Sequence, residues 1–223
     1  MKYKVSFEID LKRNTYSGKF IVVEGIDGSG KTTQVDNLVE ALKKQGKKVF
    51  LTKEPTDEFT GKLIRKILAG EMKIAPVGFQ YLFAADRAVH QIEIENYLKK
   101  GYFVICDRYF WSALVYGMMD RNIDFDVRKK SNYLLVSFSI LSFYNQFMAP
   151  DKTFLLKISV REAMKRIVRK NMYQIYETEE KLKKLKKGYD WLVKKFPKEF
   201  KIIDGERSVE EVTEEIVSRI SNF

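Results

Sequence analysis

One short stretch constrains this chain more than any other part of its sequence: FIVVEGIDGSGKTTQ, residues 20–34. It places a run of strand-forming apolar residues directly before a glycine-rich turn. Gly25, Gly30, Lys31 and Thr32 have the spacing G-x-x-x-x-G-K-[ST], in which successive backbone N–H groups point inward at phosphate oxygens. The stretch therefore predicts a strand, a phosphate-binding loop and a helix, in that order.

The ligand that such a loop fits is a nucleoside triphosphate. The lysine of the motif reaches the outer phosphates, the threonine hydroxyl holds Mg²⁺, and the N-terminus of the following helix adds its dipole. Each residue type therefore has a chemical task. The predicted nucleotide-binding residues are Gly25, Gly28, Ser29, Gly30, Lys31, Thr32 and Thr33.

Length and composition favour one globular α/β domain. The chain has 223 residues, of which 45% are hydrophobic and 32% charged, so neither disorder nor a fibrous repeat is indicated. No apolar run approaches the roughly 20 residues of a membrane span. The first residues lack a signal-peptide pattern, and the single cysteine, Cys106, cannot form an internal disulfide. We expect a cytoplasmic protein with no membrane partner.

Apolar strand patterns alternate with helical periodicity along most of the chain. Strands are predicted at residues 20–24, 48–52, 102–107, 153–158 and 200–203, and helices at 32–45, 60–69, 77–100 and 208–221. This alternation predicts an α/β fold of three layers, with a five-stranded parallel sheet covered by helices on both faces. The apolar segment 125–148 is interpreted as a core helix. Residues 1–18 are interpreted as an extension with an added strand and turn, and residues 19–223 as the main domain.

The formal net charge of +11 raises the question of a nucleic-acid partner. Most of the excess lies between Arg161 and Lys201, where 14 lysines and arginines stand against six aspartates and glutamates. Ile175, Leu182, Leu185, Tyr189, Leu192 and Phe196 recur there at helical spacing, which indicates an amphipathic helix with a solvated basic face. A solvated face is the preferred explanation, an anionic small-molecule site the second, and nucleic acid the third.

A phosphate-binding loop alone does not distinguish motors, switches and kinases. Ligands of parallel α/β sheets lie beyond the carboxyl ends of the strands, so the residues just after each strand are candidates. Asp107 ends an apolar strand, where a carboxylate can organise Mg²⁺ or its waters. Arg108 follows it with a planar fork that suits a phosphate. The sequence therefore predicts a second anion site beside the loop.

Three motifs taken together resemble the thymidylate kinase family: EGIDGSGKTTQ, LFAADRAVH and CDRYFWSALVYG. The resemblance runs from Lys19 to about Phe223. It implies a P-loop kinase fold, usually dimeric, that moves the terminal phosphoryl group of ATP onto dTMP with Mg²⁺.

The resemblance also implies roles for individual residues. Lys31 and Thr32 would hold ATP phosphates and Mg²⁺, with Asp107 near the metal. Asp27 would face the sugar and phosphate of the acceptor, and Arg108 would bind its phosphate. Phe83 would stack on the thymine, Arg87 would hydrogen-bond it, and Tyr116 would press against the sugar at the 2′ position.

Two departures from the family pattern concern positive charge. Lys53 stands where many members have an arginine, and a lysine can hold a phosphate but not bidentately. Gly28 stands where some members carry an arginine inside the loop, so that charge must come from elsewhere. Family members without an arginine in the loop carry it instead in a mobile lid, to which the basic stretch of Arg166 and Arg169 corresponds. Arg169 is the candidate catalytic arginine, and Arg166 is the second candidate.

Several functions remain open on the sequence alone. A related kinase could act on dUMP or another deoxynucleotide, a nucleic-acid-linked ATPase could use the basic face, and an interaction protein could retain a vestigial loop. Phosphoryl transfer needs positioning more than covalent help, so no protein nucleophile is required. His90 is therefore interpreted as a surface or packing residue and Cys106 as a small buried side chain. The preferred partners are ATP, dTMP and a second copy of the chain, without nucleic acid.

Overall fold

The computed structural model describes residues 8–120, 140–141, 145–169 and 175–220. Its described part contains one sheet of five parallel strands in the order β2-β3-β1-β4-β5. The strands are β1 Lys19–Glu24, β2 Val49–Lys53, β3 Phe103–Asp107, β4 Lys152–Lys157 and β5 Phe200–Asp204. The parallel sheet and all five strand positions are confirmed.

Helices connect the strands and cover the sheet. In chain order they are α1 Lys31–Lys44, α2 Phe59–Leu68, α3 Pro76–Lys99, α4 Phe110–Asp120, α5 Val160–Val168, α6 Glu179–Lys195 and α7 Val209–Ile220. The four helices predicted with bounds are confirmed as α1, α2, α3 and α7. The predicted core helix at 125–148 lies for the most part outside the described residues. Among those residues, no helix is both long and apolar enough to cross a membrane.

Alternate residues of each central strand point to opposite faces of the sheet, and each face buries an apolar layer. Ile21 and Val23 of β1 pack with helices α1 and α7 on one face. Phe20 and Val22 pack on the other face, where α3, α4 and α6 lie. β1 is therefore buried on both sides, which explains why its sequence is a continuous apolar run rather than an alternating one.

Helix α6 is the amphipathic helix predicted in the basic segment. Leu182, Leu185 and Leu192 are fully buried along its inner face. Its exposed lysines pair with carboxylates one turn away: Lys183 with Glu179, Lys184 with Glu180, and Lys186 with Asp190. Such pairs are typical of a solvated helix face.

Residues 8–18 form neither helix nor strand, so the prediction of an added strand is wrong for this part of the extension. The segment is instead anchored by side chains. Lys12 Nζ lies 2.8 Å from Glu95 Oε1 of α3. Asn14 Nδ2 donates to Asp151 Oδ2 at 2.7 Å, and the same oxygen accepts from Phe20 N at 2.7 Å. The extension is thus tied to α3 and, through Asp151, to the starts of β1 and β4.

The order of the strands places the segments that follow β1 and β3 next to each other. β1 lies between β3 and β4, and Val23 pairs with Asp107 in the register of β1 and β3. The loop after β1 and the residues after β3 therefore leave the same edge of the sheet as neighbours. This edge is the topological switch point at which α/β sheets bind ligands.

Candidate active site

The loop between β1 and α1 has the backbone conformation that its glycines predict. Gly28 and Gly30 have φ angles of 80° and 91°, in the left-handed region that side chains other than glycine rarely adopt. A Cβ on Gly28 would also lie 2.6 Å from the backbone oxygen of Ala163 in α5. A larger residue at position 28 is therefore excluded by packing as well as by strain. The departure noted at this position has a structural reason.

Lys31 begins α1 and is buried in the loop, where its Nζ donates to the backbone oxygen of Ile26 at 2.9 Å. Burial and the nearby Arg108 together lower the pKa of this lysine to about 8, against the opposing attraction of Asp27 and Asp107. A cation held in a site with little solvent is stabilised by an anion that enters it. The loop is therefore prepared for phosphate.

Thr32 and Asp107 form the part of the site that could hold a divalent cation. Thr32 Oγ1 donates to Asp107 Oδ2 at 2.8 Å, while Asp107 Oδ1 is buried without a hydrogen-bond partner. Within the described residues no cluster of three or more His, Cys, Asp or Glu side chains could hold a metal ion. One hydroxyl and one carboxylate beside a phosphate loop fit Mg²⁺, which takes most of its ligands from phosphates and water.

Arg108 lies at the centre of the second anion site and has a φ angle of 71°, unusual for a residue with a side chain. Its Nη1 donates to Gly25 O at 3.0 Å and Ser112 Oγ at 3.1 Å, and its Nη2 donates to Asp27. Tyr116 completes the group by donating its hydroxyl to Asp27 Oδ2 at 2.9 Å. We call Asp27, Lys31, Asp107, Arg108 and Tyr116 the phosphate wall.

The charge of Asp27 follows from these neighbours. Burial is the largest influence on its pKa and raises it, but the charges of Arg108 and Lys31 and the hydrogen bonds from Tyr116 and Arg108 together lower it below its ordinary value. Asp27 is therefore ionised at neutral pH. An ionised Asp27 fixes the guanidinium of Arg108 and the hydroxyl of Tyr116 on the same side of the cavity.

Glu24 is a buried carboxylate behind the phosphate wall that the sequence analysis missed. It accepts hydrogen bonds from the backbone N–H groups of Tyr109 at 3.0 Å and Ser112 at 3.2 Å, and from the hydroxyl of Tyr189 at 2.9 Å. It thus caps the N-terminus of α4 and supports the turn that carries Arg108. Burial raises its pKa above its ordinary value. The available signal was a glutamate at the end of an otherwise apolar strand.

The other end of the cavity is built from β2 and α3. Arg87 Nε donates to Glu54 Oε2 at 2.9 Å, and His90 Nδ1 lies 3.0 Å from Glu54 Oε1. His90 Nε2 lies 2.6 Å from Thr52 Oγ1, which confirms it as an interior packing residue and excludes a surface position. Phe83 packs against Phe79 with ring centroids 4.9 Å apart. We call Glu54, Phe83 and Arg87, which line the cavity, the base wall, and His90 supports it from behind through Glu54.

One cavity of about 350 Å³ brings most of the predicted residues together, whereas Gly25, Ser29 and Arg169 do not line it. Its lining includes Asp27, Gly28, Gly30, Lys31, Thr32, Thr33, Lys53, Phe83, Arg87, Asp107, Arg108 and Tyr116. Gln80, Arg65, Tyr176 and Glu177 also line it and were not selected from the sequence. Arg65 donates to the backbone oxygen of Pro55 at 2.8 Å, so it fixes the loop after β2.

The two arginines of α5 occupy different positions. Arg166 donates through Nε to Glu162 at 2.8 Å, and its Nη1 would lie 3.6 Å from a Cβ on Gly30. Arg169 is exposed at the C-terminal end of α5, and neither arginine lines the cavity. The guanidinium nearest to the phosphate loop on this helix therefore belongs to Arg166.

Comparisons with known proteins agree with one another. The family model described as thymidylate kinase matches residues 23–216. A probable thymidylate kinase of Pyrococcus horikoshii is 39% identical, covering 92% of this chain and 97% of that protein. The thymidylate kinase of Thermoanaerobacter pseudethanolicus is 34% identical, covering 92% and 98%. A solved structure of thymidylate kinase from Candida albicans, described as revealing the origin of broad substrate specificity, superimposes with a TM-score of 0.78. It shares 27% identity and covers 94% of this chain and 93% of its own.

Proposed function

The chain belongs to the thymidylate kinase family, and from this premise we propose how its residues share the transfer of the γ-phosphoryl group of ATP to dTMP. The reaction yields dTDP and ADP. The observation that carries the assignment of residues is the single cavity shared by the phosphate wall and the base wall. A nucleoside monophosphate has one charged end and one aromatic end, and the cavity offers a partner for each.

The donor side of the site is the loop from Gly25 to Thr33. Its backbone N–H groups and Lys31 would hold the phosphates of ATP, and Thr32 and Asp107 would hold Mg²⁺ directly or through water. The chemistry that Mg²⁺ would supply there is neutralisation of part of the charge on the outer phosphates. Lys31 then supplies positive charge where the transferring group becomes more anionic.

The acceptor side uses Arg108, Asp27 and Tyr116. Arg108 would bind the phosphate of dTMP through its planar fork, with Lys53 at the mouth of the cavity as a second cation. Asp27 keeps Arg108 and Tyr116 in place. Tyr116 would occupy the space of a ribose 2′-hydroxyl, so ribonucleotides should be poorer acceptors. The acceptor phosphate is itself the nucleophile, and no protein nucleophile is needed.

The aromatic end of the acceptor would lie against the base wall. Phe83 offers a ring face for stacking, and Arg87 donates to a carbonyl oxygen of the pyrimidine. Thymine and uracil have a carbonyl at O4, whereas cytosine has an amino donor there. Uracil lacks only a methyl group, which an apolar pocket distinguishes by about 10–200-fold. We expect dTMP first, dUMP second, and dCMP and purine monophosphates far behind.

A coupled assay of ADP release with ATP, Mg²⁺ and each nucleoside monophosphate tests this ranking. A preference for dCMP or AMP over dTMP would contradict the roles of Phe83 and Arg87 together. Adding single-stranded DNA without an acceptor tests the alternative of a nucleic-acid-linked ATPase. That alternative requires ATP hydrolysis that DNA stimulates and that salt suppresses, whereas we expect no stimulation.

We further propose that the enzyme is a homodimer that uses α3. Its outward face carries an apolar stripe at helical spacing, formed by Val77, Tyr81, Ala85, Ala88, Val89 and Ile92. Tyr81, Val89 and Ile92 are 54%, 54% and 65% exposed, which is unusual for such residues on one face. Light scattering should give twice the chain mass. Ile92→Lys should give the monomer mass, while its exposed neighbour Glu93→Lys should not.

The remaining assignments concern location and domain organisation. We propose a cytoplasmic enzyme, since its lone cysteine, Cys106, is buried and needs no oxidising compartment. We also propose that residues 1–18 are an addition to a kinase domain of residues 19–223. The ties from Lys12 and Asn14 to α3 and to the start of β4 are consistent with a stabilising role. Removal of residues 1–18 should lower the melting temperature and leave the substrate ranking unchanged.

A further inference from the structure

Helix α3 carries a second polar side chain at the base wall. Gln80 lies three residues before Phe83 and seven before Arg87, so helical periodicity turns all three toward the same side. All three line the cavity, and Gln80 is only 4% exposed. An amide carries both a hydrogen-bond donor and a hydrogen-bond acceptor. The position of Gln80 next to the base wall therefore places both kinds of group beside the proposed position of the nucleobase.

Gly117 of α4 makes room for this amide. A Cβ at position 117 would lie 2.0 Å from Oε1 and 2.8 Å from Cδ of Gln80. No two unbonded atoms approach so closely, so any side chain at position 117 would displace the amide of Gln80. Gly117 also lines the cavity, directly after Tyr116. The amide of Gln80 on α3 therefore packs against α4 at Gly117, which has no side chain.

The chemistry of an amide complements the edge of thymine. That edge presents the N3–H donor between two carbonyl acceptors, O2 and O4. Arg87 has only donors and Phe83 has neither donor nor acceptor, so Gln80 is the one of these three side chains that can accept the N3–H hydrogen. Its Nε2 can donate to the neighbouring carbonyl at the same time.

Resting on the placement of the base at Phe83 and Arg87 given above, we propose that Gln80 recognises N3–H and O2 of the pyrimidine, and that Gly117 is a specificity residue because it seats Gln80. Cytosine has acceptors at both N3 and O2. An amide offers one donor and one acceptor in either orientation, so rotating it does not satisfy both positions of cytosine. Gln80 and Arg87 thus reject cytosine at different atoms.

The proposal is tested by steady-state kinetics with dTMP, dCMP and N3-methyl-dTMP, in which a methyl group replaces the N3 hydrogen. Gln80→Met should raise the KM for dTMP about tenfold, as expected for a lost hydrogen bond, and leave the KM for ATP unchanged. The preference for dTMP over dCMP should fall by a similar factor. The wild-type enzyme should reject N3-methyl-dTMP, and Gln80→Met should relax that rejection.

Gly117→Ala tests the same interaction independently, because its Cβ should displace the amide of Gln80 without replacing it. Alone it should reproduce the kinetic loss of Gln80→Met, and the double variant should show no further loss, because both changes remove one interaction. A Cβ at position 117 would also lie 3.0 Å from Ile140 Cδ1. A loss from Gly117→Ala that persists in the Gln80→Met background would therefore assign the effect to Ile140 and overturn the seating role.

Gln91 gives a matched control on the same helix. Gln91 is buried, accepts a hydrogen bond from the hydroxyl of Tyr109 at 2.6 Å, and does not line the cavity. Gln91→Met should therefore lower stability without changing the substrate ranking. If Gln80→Met does not fold, Gln80→Glu keeps the size of the side chain and should still raise the KM for dTMP, because its carboxylate opposes O2. If the variants of Gln80 keep the KM for dTMP and the substrate ranking of the wild type, while Phe83→Ala raises the KM for dTMP, the role of Gln80 is refuted and the placement of the base stands. Unchanged kinetics in Phe83→Ala as well would refute the placement of the base.

Discussion

Two arginine–carboxylate pairs line one cavity and differ in their access to solvent. Arg108 and Asp27 of the phosphate wall retain 17% and 18% of their side-chain exposure. Arg87 and Glu54 of the base wall retain 2% and 4%. The first pair is therefore open to the cavity and the second is sealed in the protein.

The difference matches the ligand that each arginine would meet. A phosphate carries enough negative charge to compete with Asp27 for Arg108, so an accessible pair can exchange one anion for another. A neutral base cannot displace a carboxylate from a guanidinium. Arg87 must therefore be oriented before the base arrives, and Glu54 with its second partner His90 provides that orientation. An open pair suits binding of charge, and a sealed pair suits recognition of shape and polarity.

The largest effect is expected from a change that replaces no residue of either pair. Lys31→Ala should lower turnover about a thousandfold or more, because the loop lysine stabilises the transferring phosphoryl group. Affinity for dTMP, measured by calorimetry, should stay within a few-fold of wild type, since both pairs remain. Near-normal turnover would contradict the assignment of the phosphate loop. Weak dTMP binding would show that the donor and acceptor sites are not separable.

The next largest effect concerns the positive charge that an arginine of α5, outside both pairs, would supply to the transferring phosphoryl group. Replacing both Arg166 and Arg169 by alanine should lower turnover by several hundredfold, in the range found for arginines that stabilise phosphoryl transfer. The single variants decide which residue acts. The sequence favours Arg169, whereas the position beside Gly30 favours Arg166. Unchanged turnover in the double variant would show that lysines or another segment compensate for the absence of an arginine at position 28.

The phosphate loop and the sheet could be predicted because their signals are local. Gly25 to Thr32 are consecutive or nearly so, and each strand carries its own apolar run. The supports of the site could not be predicted, because they join distant positions. Glu54 meets Arg87 33 residues later, and Glu24 meets Tyr189 165 residues later. No periodicity relates such pairs, and only the packing of the fold brings them together.

The comparison itself is tested by removing one carboxylate from each pair. Glu54→Gln should lower the free energy of unfolding by about 3 kcal/mol, because it leaves the charge of Arg87 buried without an anion. Asp27→Asn should lower it by only about 1 kcal/mol, since water reaches Arg108. Chemical denaturation of both variants measures the difference. Equal losses of stability would mean that the two pairs are alike despite their different exposure.

Arg108→Ala should produce a smaller and more selective effect. A hydrogen bond to a charged group contributes about 1.5–3 kcal/mol, so the KM for dTMP should rise by roughly 10–100-fold. The KM for ATP should change little, because the donor phosphates lie on the loop. Arg108→Lys is the matched control, which keeps the charge and loses the fork. Equal effects on both substrates would indicate that Arg108 is a structural residue.

The smallest effect expected near neutral pH is a dependence of ATP use on pH, which emerges only above the pKa of Lys31. In the free enzyme, burial and Arg108 lower the pKa of Lys31 to about 8, with Asp27, Asp107 and Glu24 opposing that shift. ATP binds the charged lysine, so kcat/KM for ATP should fall about tenfold for each pH unit above that value. The unfolded chain keeps this lysine protonated to its ordinary pKa of 10.5 and therefore binds more protons between pH 8 and 10.5. The contribution of Lys31 to the free energy of unfolding should consequently rise with pH over the same window in which ATP use declines. Lys31→Met isolates this contribution: the stability difference between wild type and variant should change between pH 7 and 10. A constant difference would show that Lys31 is not titrating in the loop.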